Sequence, residues 1–151
     1  MLPTPVCRIC KSILIEDDYS RQFETGRVED YSLICGWYPL EKEGEEYFRW
    51  MGKRAVLEIK ESKGALRLEV KNTHPQKEKI SQYIRQGDHE EKVDLNNREW
   101  NQIEYFIKPV SKFGSQIIIE SDEFWIPAEI FPDNEDCREL SVMVKNMCLI
   151  L

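Results

Sequence analysis

From about residue 22 onward, short apolar alternations recur at intervals of about ten residues, separated by Gly, Asn, Asp and Pro, the spacing of strands in a sandwich or barrel. In Ala55-Val56-Leu57-Glu58-Ile59-Lys60, positions 55, 57 and 59 point one way while Glu58 and Lys60 point the other, as a half-buried strand requires. The glycine of Glu61-Ser62-Lys63-Gly64 suits a tight turn. Ala65 to Lys71 then alternates without a fault, Leu66, Leu68 and Val70 inward against Arg67, Glu69 and Lys71, so the two runs read as a hairpin.

Further strands are predicted at Lys79 to Arg85, at His89 to Leu95 across a Gln86-Gly87-Asp88 turn, and at Gln102 to Lys108, where Pro109 stops the run. Gln116 to Glu120 and Phe124 to Ile126 add two short ones. Leu140 to Leu151 is apolar on both faces, with Val142, Val144, Cys148 and Ile150 on one and Met143, Met147, Leu149 and Leu151 on the other; such a run predicts a central strand. Helical periodicity is nearly absent, and single helical turns fit only near Pro75 to Lys79 or Pro132 to Asp136. The pattern predicts an all-β fold: an antiparallel two-sheet β-sandwich of jelly-roll or Greek-key type with about eight or nine strands. It spans residues 22–151, and residues 1–21, with Pro3, Pro5 and a lone Cys7-x-x-Cys10, read as an N-terminal arm.

A chain of 151 residues can bury one core without staples. The formal charge of −7 repels phosphate backbones and anionic lipid, which argues against nucleic acid and membrane partners. The first residues lack a basic stretch followed by an apolar run, so a cytoplasmic location is expected. Five cysteines, Cys7, Cys10, Cys35, Cys137 and Cys148, are odd in number and irregular in spacing, and reduced thiols are the simpler reading.

The motifs that fix a nucleophile, a phosphate or a metal are missing: there is no Gly-x-Ser-x-Gly, Gly-rich phosphate loop, Gly-x-Gly-x-x-Gly or His-Glu-x-x-His. His74 and His89 read as solvated loop residues. Cys7 and Cys10 supply half of a zinc knuckle, and no second pair completes four ligands. A cupin-type enzyme would need a metal cluster on inward strand positions, which two separated histidines do not supply. Paired carboxylates such as Glu41 and Glu43, Glu45 and Glu46, or Glu135 and Asp136 read as solvated loops. The expectation is a non-enzyme with no cofactor and no metal. The aromatics Trp37, Tyr38, Tyr47, Phe48, Trp50, Trp100 and Trp125 are either core or, if several are exposed, a stacking platform for the apolar faces of sugar rings.

Cys35-Gly36-Trp37-Tyr38-Pro39-Leu40-Glu41, then Tyr47-Phe48-Arg49-Trp50-Met51, resembles the opening of a carbohydrate-binding-like β-sandwich (jelly-roll) domain appended to bacterial glycosyltransferases and methyltransferases. Phe124-Trp125-Ile126-Pro127-Ala128-Glu129 and Asp136-Cys137-Arg138-Glu139-Leu140-Ser141-Val142 resemble its ending. The similarity covers residues from about 24 to 151, its middle resting on strand spacing alone. It implies a jelly roll without catalysis of its own. The expected function is therefore a non-catalytic binding module for a saccharide or glycan. The alternative is a structural or protein-interaction domain docking on a glycosyltransferase- or methyltransferase-type partner in a polysaccharide or envelope pathway. The candidate ligand-binding residues are Trp37, Glu41, Arg49, Trp50, Trp125, Asp136 and Arg138, whose three segments are expected to converge at one rim. Two roles stay open for the arginines: donors to a ligand, or a lock between the first and last strands with Arg138 on a carboxylate such as Glu41.

Overall fold

The computed structural model describes residues 31–59, 63–109 and 115–150. The expected arm, with Cys7 and Cys10, lies outside them. Nine strands follow in order: β1 (Tyr31–Trp37), β2 (Glu41–Glu43), β3 (Glu46–Ile59), β4 (Ala65–Asn72), β5 (Lys79–Gln86), β6 (His89–Asn96), β7 (Trp100–Phe106), β8 (Ser115–Ser121) and β9 (Val142–Ile150). A single helical turn, α1 (Pro127–Ile130), precedes β9.

The architecture is all-β and antiparallel, one continuous sheet with the path β6-β5-β8-β3-β9-β4-β7, to which β1 and β2 attach through β3. It curls until its ends approach: Asn72 bridges Asn97, and Arg98 N donates to the Asn72 carbonyl at 2.7 Å. The result is a nearly closed barrel-like form around one core, in which Leu57, Ile59, Leu66, Leu68, Val70, Ile84, Tyr105 and Val144 are among the fully packed side chains. Closure of this kind leaves few backbone groups unpaired at an edge. β6, which ends the path on one side, carries His89, Glu90, Glu91 and Lys92, all exposed, and such charge discourages pairing with another chain.

Period two locates the strands and their faces, but not their neighbours. The expected hairpin of residues 55–60 with residues 65–71 does not form, because β9 lies between β3 and β4. The turn at Gly87 does make the expected hairpin, with β5 and β6 paired from Lys79↔Asn96 to Gln86↔His89. β9 is central, as read. Its faces are not: Asn146 adopts a positive φ of 52°, the register slips against β4, and Val142, Val144, Met147 and Leu149 end up buried together. The strand expected at 124–126 shrinks to a bridge between Trp125 and Leu140, and the helical turn falls at Pro127 instead of Pro75 or Pro132. Proline suits that first helical position because its missing N–H needs no partner there.

Gly36 shows how closely β1 lies on β3. Its φ is +83°, and a Cβ there would fall on the Arg54 carbonyl, so only glycine fits. Cys35, beside it, is disulfide-bonded, which corrects the expectation of reduced thiols at that position; Cys137 and Cys148 are free. No helix among the described residues is long and apolar enough to cross a membrane.

Candidate binding surface

At one end of the barrel three segments meet: the loop after β1, the β2–β3 hairpin, and the connection between β8 and β9. Backbone bonds join them. Tyr38 N donates to Trp50 O at 2.9 Å, Ser141 N donates to Met51 O at 2.8 Å, and Trp125 and Leu140 exchange bonds of 2.9 and 2.8 Å. The Ser141 hydroxyl, buried, also donates to the Gly52 carbonyl at 2.8 Å. Within the connection, Ala128 N donates to the Asp136 carbonyl at 2.8 Å, so the chain around α1 is held on a short leash.

Asp136 turns the chain toward the site. Its Oδ1 accepts the Arg138 backbone N–H at 3.0 Å, a local turn that aspartate favours, and the Arg138 guanidinium folds back onto the same carboxylate. Nε lies 3.0 and 3.1 Å from its two oxygens and Nη2 lies 2.8 Å from Oδ2. Nη1 reaches Glu41 Oε2 at 3.4 Å, and the guanidinium sits 5.2 Å from the centre of the Tyr38 ring. The hydrogen bonds from Arg138 hold Asp136 below the usual carboxylate range, and Asp136 in turn raises the Arg138 pKa further, so both stay charged at neutral pH. Burial pushes the Tyr38 phenol up, and its O–H donates to the Glu139 carbonyl at 3.1 Å. A guanidinium carries five N–H donors, of which three are engaged among the described residues, leaving one on each terminal nitrogen.

Beside this ion cluster runs a line of rings. Glu41 is the cross-strand partner of Phe48. Phe48 meets Trp50 edge to face at 6.4 Å, Trp50 meets Trp125 at 6.0 Å, and Trp125 meets Phe131 at 6.3 Å. Edge-to-face contacts suit the ring quadrupoles. All four rings keep some exposure, and Phe131 is 46% exposed. Trp125 Nε1 is buried with no acceptor among the described residues, an unmet donor of the kind that marks a departure from ordinary packing.

Of the seven residues expected to bind, the structure brings five to this surface: Glu41, Asp136 and Arg138 in mutual contact, and Trp50 and Trp125 ring on ring. It places the other two beneath. Trp37 is 1% exposed and its Nε1 donates to the Val56 carbonyl at 2.9 Å, so it is part of the core. Arg49 is fully buried, with Nη1 donating to the Tyr38 carbonyl at 3.2 Å. Arg138 is thus paired with Glu41, as the lock would have it, and Arg49 is tied to the loop after β1; of the two only Arg138 is also partly exposed.

Two members were not read from the sequence. Phe131 follows Ile130 and precedes Pro132, and that apolar pair in a charged loop was the available signal. His74 was expected to be solvated like His89, which is exposed. It is instead buried, with its ring 6.5 Å from Trp125 and Nδ1 accepting the Gln76 N–H at 3.0 Å. Burial lowers its pKa, against an opposing pull from the Phe124 carbonyl, so the ring is held neutral. The loop signal failed because Asn72 and Asn97 knit residues 72–77 back onto β6: His74 N donates to Asn72 Oδ1 at 2.9 Å, and Asn97 Nδ2 donates to the His74 carbonyl at 2.8 Å. Among the described residues no three His, Cys, Asp or Glu gather as a metal site.

No family model matches the chain, and no curated protein does. Among solved structures it is similar to the secreted serine protease VesC from Vibrio cholerae, at 8% identity and a TM-score of 0.45, over 79% of this chain and 24% of that one. It spans about a quarter of that protease's length. It is also similar to a mutant of CBM29-2, a family 29 carbohydrate-binding module complexed with mannohexaose, at 12% identity and a TM-score of 0.34, over 78% of this chain and 88% of that one. TmCBM61 in complex with β-1,4-galactotriose aligns at 15% identity and a TM-score of 0.34, over 71% of each chain. With TM-scores of 0.45 and below, these likenesses give the chain neither a family nor a ligand.

Proposed function

We propose that this chain is a non-catalytic binding module for a saccharide, seated on Trp50, Trp125 and Phe131 with Arg138, Asp136 and Glu41 bonding its hydroxyls. The observation that carries the reading is the continuity of a half-exposed line of rings with a guanidinium that is already oriented and still has two free N–H groups. Apolar ring faces take the CH face of a pyranose, while fixed donors and acceptors at the rim set its orientation. Because the two carboxylates hold Arg138 in place beforehand, little side-chain entropy remains to be lost on binding. In this reading the fold is a jelly-roll-like sandwich whose two layers join through β3, and the chain works beside glycosyltransferases or methyltransferases without a reaction of its own.

The test is a titration of intrinsic tryptophan fluorescence with neutral and acidic mono- and oligosaccharides, on the wild type and on Trp125→Ala. A saturable change that Trp125→Ala abolishes is expected; a wild type silent to every sugar at millimolar concentration overturns the reading. A second reading, docking on a partner enzyme, is favoured by Phe106, which is 61% exposed on β7 at the end of the sheet path. Recovery of one stoichiometric protein with the wild type but not with Phe106→Ser would support it.

A further inference from the structure

The outer face of β3, β9, β4 and β7 carries a second feature in line with the first. Trp50 is the register partner of Met143, Met143 of Lys71, and Lys71 of Trp100, so the four side chains form one row on one face across four strands. Three inter-strand steps of about 4.8 Å put the backbones of the two tryptophans about 14 Å apart along that row. Lys145 Nζ is 4.2 Å from the Trp100 ring centre, is paired with Glu46 at 3.2 Å, and belongs to a side chain only 13% exposed. Trp100 itself keeps partial exposure. Arg67 on the same face is paired with Glu104 at 3.1 Å. Lys71 differs, having no carboxylate partner among the described residues and lying 5.6 Å from the Trp100 ring centre.

We propose that this row is a continuation of the binding surface that takes an extended acidic saccharide, one sugar stacked on Trp100, another against Trp50, and a carboxylate between them on the Lys71 ammonium. The proposal rests on the saccharide reading above. A row spanning four strands is longer than one pyranose ring, which is why the occupant is a chain. The charge at its middle selects an acidic one, since Lys145 and Arg67, the other cations beside the row, are paired with Glu46 and Glu104.

The experiment compares galacturonate and cello-oligosaccharides of two and six residues by calorimetric titration against wild type, Trp100→Ala, Trp100→Phe, Lys71→Gln and Arg138→Ala, with thermal melts to verify folding. Expected is tighter binding of hexagalacturonate than of cellohexaose by about fivefold, the worth of one exposed ion pair. Lys71→Gln should remove that preference. Trp100→Ala should weaken both hexasaccharides by about tenfold and leave the disaccharides alone, with Trp100→Phe in between. If Arg138→Ala weakens binding while Trp100→Ala and Lys71→Gln do not, the row is overturned and the saccharide site stands. Equal or tighter binding of cellohexaose overturns the acidic assignment, and no binding of any of the four sugars overturns both.

Discussion

The molecule contains two arginines built almost alike. Arg138 is gripped by Asp136 and Glu41 beneath a tyrosine, and Arg85 is gripped by Glu90 and Glu120, each at 2.6 Å, with its guanidinium 5.6 Å from the Tyr83 ring centre. Their side chains are 33% and 36% exposed. What differs is where the backbone stands. Arg85 is a rung of a regular ladder, directly opposite Glu90 on β6 and bonded to Glu120 on the neighbouring β8. Arg138 lies on no strand, reaches a residue 97 positions away, and borders the line of rings from Phe48 to Phe131. A clamped arginine is thus not a site by its own chemistry; irregular backbone and adjacent exposed rings make one of them a candidate.

The largest effect expected at the aromatic end belongs to a residue beneath the surface. Trp37→Ala removes a fully packed ring and should lower stability by about 3 to 5 kcal/mol, read by denaturant unfolding. If the variant that remains folded responds to sugar as the wild type does, the floor of the site is fixed at Trp50 and Trp125. Arg138→Ala comes next. It leaves Asp136 and Glu41 without their shared cation and should cost about 1.5 to 3 kcal/mol, together with loss of sugar response. Loss of stability with unchanged response would make this cluster architecture alone. Arg85→Ala should cost no more than about 1 kcal/mol, as exposed pairs do, and should leave sugar binding untouched. Equal effects of the two arginine changes in thermal melts and titrations would erase the contrast between the two regions.

That contrast was only half legible in the sequence. The run from Leu66 to Val70 and the turn at Gly87 were plain because side-chain alternation and positive φ are local properties. The insertion of β9 between β3 and β4 was not, since pairing order is decided by which faces bury most apolar surface once the whole chain is present. Likewise the phase of β9 flips at Asn146, where one residue outside the ladder alters the parity of all that follows. At the site, Glu41, Asp136 and Arg138 were readable as charged residues flanking strand ends. Trp37 and Arg49 were not separable from them by sequence, because alternation along β3 and the glycine-dependent approach of β1 decide which side chains turn inward. His74 was misread because its burial depends on two asparagine amides far apart in the chain, Asn72 at the end of β4 and Asn97 just past β6.

The smallest effect is one of pH, and it separates the two regions by position. His74, at the aromatic end, must stay neutral for Nδ1 to accept the Gln76 N–H, and burial lowers its pKa in the folded chain. The unfolded chain, with an ordinary value of about 6.5, then binds more protons, so stability rises with pH across this window. The full contribution is present above about 6.5 and is lost as pH falls toward the lowered folded value. The hairpin of β5 and β6 has a different threshold. Its Asp94 is held down first by the hydrogen bond from the Ser81 hydroxyl at 2.6 Å, so its contribution fades only as pH drops below about 3.9, the ordinary aspartate value. Asp136 behaves in the same sense through its bonds to Arg138. Between pH 7 and pH 5, therefore, the protection of the amide against exchange, relative to its intrinsic rate at each pH, should fall at Gln76, whose N–H is the one given up, and hold at Ser81, whose N–H is bonded to Asp122 at 2.9 Å. His74→Asn, which keeps an acceptor near the Nδ1 position and cannot take up a proton, should remove the change at Gln76 while leaving Ser81 as it was. Equal loss of protection at both amides, or a loss at Gln76 that survives in His74→Asn, would mean that the neutral imidazole is not what ties this loop to Trp125.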